Sequence, residues 1–352
     1  MLLIPFALCA FGAAVYVTGM HDASNTVAVP VRTRALGERS ALYLAALFNV
    51  LGVVSAFLLL GEYSATWVSA PEGETGLSGI LAALLVCSIW GMLTWALRLP
   101  SSSTHALIGA LAGVSWWARF STQGSQELHL SSFLPHIFEA TLWPLLYLPP
   151  LIFVLSWVMV IPFYRLVVGH NPRMVNQRSR EVLAVSSSAI SLLHGVQTGY
   201  LYLLLWSLMV PLLGDHSGSG GTYRLDTAGM LLGTLFIALT LGLGTLSGGR
   251  RIGYTFAYKY TFAYKMVRID PLRGAVAQGT TAAVQILGYF LLQVPFSSSH
   301  LATASTLGAG VNQRFNALKP RIVLQILLVW IVTIPACFVV GVAVMMTVQA
   351  LL

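Results

Sequence analysis

The stretch PSSSTH, Pro100–His105, returns 195 residues further on as PFSSSH, Pro295–His300. Each copy lies between a long apolar run and a segment of small residues, and Gly113 and Gly308 keep the same offset behind them. A motif that returns together with its surroundings indicates an internal duplication. The sequence therefore predicts a chain built from two similar halves.

Both serine-rich stretches interrupt apolar sequence in a way that disfavours a continuous helix. Proline removes a backbone donor, and inside a bilayer no water replaces the lost hydrogen bond. Irregular backbone at that depth normally lines a cavity, and a helix that starts there directs its free N–H groups and positive dipole end into the cavity, which suits a small oxyanion. Helix capping is the alternative role of the serines. The candidate substrate-binding residues of the two turns are Ser102, Ser103, Thr104, Ser297, Ser298 and Ser299.

The composition is that of a helical membrane protein. Of the 352 residues, 57% are hydrophobic and 9% are charged, and the mean hydropathy is +0.79; these values are far too apolar for a soluble domain. The net charge of +8 does not indicate nucleic-acid binding, because the basic residues occupy short loops between apolar runs. The three cysteines lie in apolar runs without metal-ligand spacing, so neither a disulfide framework nor a metal site is predicted.

The distribution of basic residues predicts the orientation in the membrane. Sixteen of the 19 lysines and arginines fall in four loops, 32–39, 164–182, 248–273 and 312–321. The positive-inside rule assigns these loops to the cytoplasmic side, which leaves both termini outside. The predicted localisation is the cell membrane, plasma or inner, with many passes through the lipid bilayer.

The serine-rich turns decide how the two halves are oriented. If each turn is the tip of a re-entrant hairpin, each half holds three full crossings, and an odd number turns the second half upside down. The predicted fold is an all-α integral membrane protein with two inverted-topology repeats, broken helices and re-entrant helical hairpins. Its predicted parts are a first transmembrane repeat over 1–163, a short basic cytoplasmic linker over 164–182 and a second transmembrane repeat over 183–352.

Asp22 is the one acidic residue inside a predicted span, and the other ten lie in loops or at span ends. An intramembrane carboxylate is costly, so it is a functional candidate by default. His21, Ser24 and Asn25 lie within one helical turn and could coordinate a cation or pass a proton, with a helix cap as the alternative. These residues belong to the first apolar segment of the chain, residues 1 to 31. Because a span needs about 20 residues, this segment is predicted to be a broken or overlong helix.

The second half has a matching segment without a carboxylate, HGVQTG at 194–199, where we also expect a helix break. Its candidate residues are His194, Gln197 and Thr198. A lone histidine in an apolar helix is as readily a hydrogen-bonded core residue as a ligand. Asn49 is a further polar group in an apolar span, and interhelical hydrogen bonding is its alternative role.

Several short segments extend these signals: GMHDASNTVA at 19–28, TRAL at 33–36, AALFNVLG at 45–52 and GGRR at 248–251. Together with the two serine-rich turns they resemble the inorganic phosphate transporter (PiT) family, whose halves each carry a Gly-x-Asn-Asp type motif and a Pro-x-Ser-Ser/Thr-Ser/Thr-His turn. His21 and Asn49 look more like the proton-coupled bacterial branch of that family than the sodium-coupled one.

The resemblance implies a secondary active transporter that moves inorganic phosphate, or a metal-phosphate complex, driven by a proton or cation gradient. It implies that Asp22, His21 and Asn49 serve the coupling ion or proton and that Asn25 joins the serines at the substrate. It also makes a homodimer the expected assembly. No cofactor other than a coupling H⁺ or Na⁺, no resident metal and no nucleic-acid partner are expected.

The second half departs from the family pattern His-Gly-x-Asn-Asp, because Gln197 and Thr198 stand where the family has Asn and Asp. Two alternatives to phosphate transport therefore stay open. One is a transporter of another small oxyanion such as sulfate, and the other is a non-transporting membrane receptor or scaffold derived from the transporter fold. An enzyme is not expected, because no apolar helix offers a serine, a base and an orienting acid at a readable spacing.

Overall fold

In the computed structural model the described part of the chain is mainly helical. That part comprises residues 3–59, 76–97, 99, 101–123, 143–213, 226–258, 269–292, 296–311 and 320–351. Pro100 and Pro295, which open the two serine-rich turns, lie outside it. Among the described residues, seven helices are long and apolar enough to cross a membrane. The chain is therefore a multi-pass helical membrane protein, as the composition predicts.

The described residues of the first half form five helices, and the third and fourth of these form a hairpin. The helices are α1 Leu3–Arg32, α2 Glu38–Leu59, α3 Gly76–Leu97, α4 Ser103–Gln123 and α5 Trp143–Val167. α3 and α4 pack against each other although only residues 98–102 separate them. The Leu99 N–H donates to the Thr94 carbonyl at 2.8 Å and the Ser101 N–H to the Leu99 carbonyl at 3.0 Å, which closes the reversal. The first serine-rich turn is thus a hairpin tip.

The second half repeats this order. Its helices are α6 Pro172–Leu213, α7 Thr227–Tyr258, α8 Pro271–Leu287, α9 Ser298–Val311 and α10 Pro320–Leu351. α8 continues as a π-helical turn over Gly288–Leu292. α9 has only 14 residues, whereas a membrane crossing needs about 20. Because α9 packs back against α8, the two form a second re-entrant hairpin.

Besides the contacts within each half, four helices of the first half have their main partner in the second half. α1 packs along α7 and α2 along α6, while α4 packs along α10 and α5 along α9. Exchanging each helix for its counterpart in the other half reproduces the same four pairs. This arrangement is that of two inverted-topology repeats related by a pseudo-two-fold axis.

Two glycines mark equivalent close contacts in this packing. A Cβ atom on Gly113 of α4 would lie 2.2 Å from the carbonyl oxygen of Phe338 in α10, and one on Gly308 of α9 would lie 2.1 Å from that of Phe153 in α5. Backbones approach this closely only where a residue has no side chain. The common offset of the two glycines in the sequence thus reflects one packing role in both halves.

The helix break predicted at 194–199 is wrong, because α6 runs through that segment without interruption. α1 is likewise a continuous helix of 30 residues, so the overlong alternative holds for the first half. The physical reason is that the polar side chains of these segments find partners on neighbouring helices, and the backbone does not need to open. The interruptions lie instead at the hairpin tips.

The segment predicted as a linker, 164–182, is largely helical. α5 ends at Val167 and α6 begins at Pro172, so only residues 168–171 of that segment lie outside a helix. Much of the connection between the halves is therefore an extension of α6. The division of the chain into repeats at this segment stays a prediction.

A polar cluster ties the start of α8 to the end of α5. Asp270 caps α8 by accepting from the backbone N–H of Arg273 at 2.9 Å, and the Tyr164 hydroxyl donates to it at 2.7 Å. The Arg273 guanidinium pairs with Asp270 and lies 4.4 Å from the centre of the Tyr164 ring. Burial raises the pKa of Asp270, but these hydrogen bonds and the charge of Arg273 outweigh it and hold the pKa below its usual value.

Candidate functional site

Each hairpin tip starts its second helix with a serine cap. The Ser102 hydroxyl accepts from the backbone N–H of His105 at 3.2 Å, and the Ser297 hydroxyl accepts from the backbone N–H of His300 at 3.3 Å. Capping, the alternative role of the serines, is thus present in both halves. A capping oxygen accepts, so its own hydrogen stays available for a ligand.

The next hydroxyls along the tips are unoccupied. Those of Ser103, Thr104 and Ser298 make no hydrogen bond within the described ranges. Ser103 and Ser298 are 9% and 5% exposed. They occupy equivalent places in the two turns. The two tips therefore present a matched pair of hydroxyls, one from each half.

Ser299 connects the second tip to the polar cluster of α1. Its hydroxyl donates to Oδ1 of Asp22 at 3.1 Å, and the Asn25 side-chain amide donates to the Ser299 oxygen at 3.1 Å. The same amide donates to Asp22 at 3.2 Å. Asp22 is itself 6% exposed. Ser299 and Asn25 thus contact the buried carboxylate directly, whereas Ser298 beside them does not.

Asp22 lies between two histidines, one from each half. Nδ1 of His21 is 3.4 Å from its Oδ1, and Nε2 of His194 is 3.4 Å from its Oδ2. Both rings are buried. A buried carboxylate is stable when it is paired or hydrogen-bonded, and these two rings with Ser299 and Asn25 supply the partners. The three ionisable groups form one cluster across α1 and α6.

The proton on His194 is placed by Asn49. The Asn49 amide nitrogen donates to the Thr245 hydroxyl at 2.9 Å, so its oxygen faces Nδ1 of His194 at 3.0 Å. An amide oxygen only accepts, so Nδ1 carries a hydrogen and a neutral ring has a bare Nε2. That Nε2 faces the Asp22 carboxylate at 3.4 Å and the Thr198 hydroxyl at 3.3 Å.

His21 links the same cluster to the first hairpin. Its Nε2 lies 3.3 Å from the Thr94 hydroxyl of α3 and 3.5 Å from the Ser101 hydroxyl of the first tip. The two hydroxyls are 3.0 Å apart. Both hairpin tips therefore reach the cluster on α1, the first through His21 and the second through Asp22.

The second-half motif supports the site rather than repeating the first. The Gln197 amide donates to the Phe296 carbonyl at 2.6 Å, which satisfies a backbone oxygen in the second tip. The Thr198 hydroxyl lies 3.3 Å from Nε2 of His194. Of this motif only His194 contacts Asp22. Asn49 acts on Asp22 indirectly, because its side-chain oxygen orients the His194 ring.

Three residues of this network are not among the candidates predicted from the sequence. Ser101 belongs to the first serine-rich turn, whereas Thr94 and Thr245 are single hydroxyls in apolar helices, and such residues usually bond their own helix backbone. Thr94 and Thr245 do so as well. No group of three or more His, Cys, Asp or Glu that could hold a metal ion occurs among the described residues.

An all-helical membrane protein with inverted repeats, two re-entrant hairpins and polar groups gathered at their tips has the architecture of a secondary transporter. Comparison with known proteins gives the family. The model of the phosphate transporter family matches residues 18–341. The chain therefore belongs to the phosphate transporter family, which confirms the resemblance seen in its motifs.

Relatives and a solved structure agree with this assignment. The chain is 30% identical over 335 residues to a "Probable low-affinity inorganic phosphate transporter" of Bacillus subtilis, covering 95% of this chain and 93% of that protein. It is 29% identical over 328 residues to a protein of the same name from Rhizobium meliloti, covering 91% and 89%. A solved structure, "The sodium-dependent phosphate transporter", matches with a TM-score of 0.72 at 15% identity over 100% of both chains; it shows the fold.

Proposed function

We propose that this chain transports inorganic phosphate across the cell membrane in symport with protons. Family membership and the names of its relatives in Bacillus subtilis and Rhizobium meliloti support phosphate as the substrate. The observation that carries the proposal is the matched pair of free hydroxyls on Ser103 and Ser298, one at each hairpin tip. A tetrahedral oxyanion between the tips accepts from both.

The hairpin helices add to this attraction. Ser103 begins α4 and Ser298 begins α9, so each hydroxyl lies beside the free N–H groups of a helix N-terminus. Such groups and the positive end of the helix dipole favour an anion without a buried cation. Ser102 and Ser297 can contribute as well, because they cap the helices through their oxygens and their hydroxyl hydrogens remain able to donate. Phosphate binding thus relies on neutral donors.

Protons are the coupling ions in this proposal. The exchangeable proton lies between His194 and Asp22, and Asn49 fixes the ring so that Nε2 faces the carboxylate. Ser299 contacts the same carboxylate. When the second tip moves with its phosphate, Asp22 loses this donor. Phosphate release and proton release are linked through that one contact.

The non-transporting alternative rests on Thr198, which stands where the family has a second carboxylate. Under that alternative, wild-type protein takes up no phosphate, and the double variant Gln197→Asn with Thr198→Asp gains uptake. Under the transport proposal, His194 serves in place of the missing group because it contacts Asp22 from the second half. The double variant then gains nothing.

The test is labelled phosphate uptake by purified protein in liposomes. A proton gradient and a sodium gradient are imposed in turn, with and without Mg²⁺, and sulfate is added as competitor. Uptake above equilibrium with the proton gradient alone supports the proposal. Accumulation only with sodium would assign the other coupling ion, a requirement for Mg²⁺ would favour metal-phosphate, and competition by equimolar sulfate would indicate a general oxyanion carrier.

Three further features complete the proposal. The functional unit is built from the repeats 1–163 and 183–352 around the connecting segment 164–182, with both termini outside the cell. The chain is proposed to form a homodimer. Cysteine labelling from each side of the membrane tests the topology, and the mass of the detergent-solubilised protein tests the assembly.

A further inference from the structure

A groove of about 510 Å³ lies between α5, the first turns of α6 and α8. Its volume falls within the range of about 300–1,000 Å³ that is usual for small-molecule sites. The walls are apolar, with Met159 and Phe163 from α5, Met174 from α6 and Ala275 and Ala283 from α8. None of these residues belongs to the cluster around Asp22. The groove is a separate feature of the molecule.

The groove has a basic rim at one end. His170, in the turn between α5 and α6, and Arg178 of α6 both line it and are both exposed. Arg178 makes no ion pair among the described residues. The nearby acid on α6, Glu181, accepts a hydrogen bond from Gln177 instead. An unpaired guanidinium therefore stands at the rim of an apolar groove.

We propose that this groove binds one anionic phospholipid, with an acyl chain between α5 and α8 and the phosphate headgroup on Arg178. The charge of the rim decides the class of ligand, because an apolar groove alone would accept any lipid tail. Basic residues next to a membrane span attract anionic headgroups, and each contributes about 1 kcal/mol near the surface, which is about fivefold in affinity. His170 adds a ring N–H that can donate to the same headgroup.

The site also bears on the second hairpin. α8 is the first helix of that hairpin, and Gly279 and Ala283 face the groove where larger residues would fill it. The opposite wall, α5, is tied to α8 by the Tyr164, Asp270 and Arg273 cluster. A lipid in the groove packs on both helices beside that cluster. It therefore holds the hairpin in the position seen here.

Lipid retention tests the site without any transport measurement. Purified protein is incubated with phosphatidylglycerol or phosphatidylcholine and bound lipids are counted by native mass spectrometry. We expect one retained phosphatidylglycerol, retention reduced about fivefold in Arg178→Gln, and no change in the matched variant Arg180→Gln, whose residue lies on the same helix outside the groove. Equal retention in both variants would overturn the headgroup assignment.

Ala283→Phe tests the acyl-chain part. Ala283 is exposed in the groove, so the larger ring fills it without entering the core, and the thermal midpoint reports whether the variant is folded. Folded Ala283→Phe should retain no phosphatidylglycerol. Full retention of the lipid by this variant overturns the proposal. If the variant also no longer forms a dimer, the groove holds a second copy of the chain instead of a lipid.

The effect on the hairpin is measured by uptake, and that step alone rests on the proposed function. Wild-type protein in liposomes with phosphatidylglycerol should take up phosphate at a rate different from that in pure phosphatidylcholine, and Arg178→Gln should remove the difference. Absence of uptake in both lipids contradicts the transport proposal and leaves the retention result standing. Equal non-zero uptake in both lipids contradicts only the control of the hairpin by the lipid.

Discussion

His105 and His300, the closing residues of the two serine-rich turns, contact each other directly, with ring centres 4.3 Å apart and ring planes at 88°. His300 also stacks on Trp330 of α10, with ring centres 3.9 Å apart. All four ring nitrogens are buried without a hydrogen bond in the described part of the chain. The hairpins of the two halves therefore meet through ring packing, two residues after Ser103 and Ser298.

Replacing His300 separates ring packing from hydrogen bonding. In His300→Phe a ring still stacks on Trp330, and two buried nitrogens without partners are removed, so we expect the thermal midpoint of the purified protein to equal or exceed that of wild type. His300→Ala leaves a cavity and should cost about 3 kcal/mol or more. A Phe variant as unstable as the Ala variant would show that the nitrogens stabilise the contact.

The free tip hydroxyls should carry phosphate affinity. Ser103→Ala and Ser298→Ala each remove a donor to a charged ligand, a hydrogen bond contributing about 1.5–3 kcal/mol, so the dissociation constant for phosphate should rise about tenfold or more. The amount of folded protein should not change, because neither hydroxyl has a hydrogen-bond partner among the residues that the structure describes. Binding is measured by calorimetry on purified protein.

Ser102→Ala and Ser297→Ala give the stability comparison for that experiment and not an affinity control, because these hydroxyls cap helices and can also donate to phosphate. Each removes a helix cap, so it should lower stability by about 1 kcal/mol. The contrast is the informative result. If Ser103→Ala and Ser298→Ala bind phosphate as wild type does, these hydroxyls are not the donors and the tip serines act as caps alone.

Asp22 should separate accumulation from binding. Asp22→Asn keeps the size of the side chain and its hydrogen bonds to Ser299 and Asn25, but it removes the charge opposite His194. We expect gradient-driven accumulation in liposomes to be lost while phosphate binding falls much less. The same change at Asp226, a cap at the start of α7, should leave accumulation intact. Accumulation that survives in Asp22→Asn removes this residue from coupling.

The pH dependence of stability should show how much the charge of Asp270 stabilises the fold. The folded-state pKa of this carboxyl lies below its unfolded value, so its contribution is present above the unfolded pKa and is lost as the pH falls through the folded one. The stability difference between wild type and Asp270→Asn should be constant above about pH 5 and shrink below about pH 4. Thermal midpoints from pH 3 to 7 measure it. A difference independent of pH would mean that the charge of Asp270 contributes nothing.

The duplication, the hairpins and the position of Asp22 inside a span could all be predicted from the sequence, because each depends on a local pattern of apolar, small and polar residues. The contact between Asp22 and His194 could not. It joins residues far apart in the chain, and only the packing of α1 against α6 creates it. For the same reason the predicted break at 194–199 was wrong, since neighbouring helices supply the partners that an isolated helix would lack.

The exchange of helix partners between the halves has a consequence for biogenesis. α1, α2, α4 and α5 each find their main neighbour in the second half, so the first half leaves the ribosome before the surfaces that cover it exist. Its glycine-lined faces and the carboxylate of Asp22 therefore lack their packing partners until α6 to α10 are inserted. Folding is therefore dominated by contacts of long sequence separation, which form slowly. During membrane insertion, quality control therefore encounters an incomplete first repeat, and only the inverted second repeat of the same chain can cover its exposed surfaces.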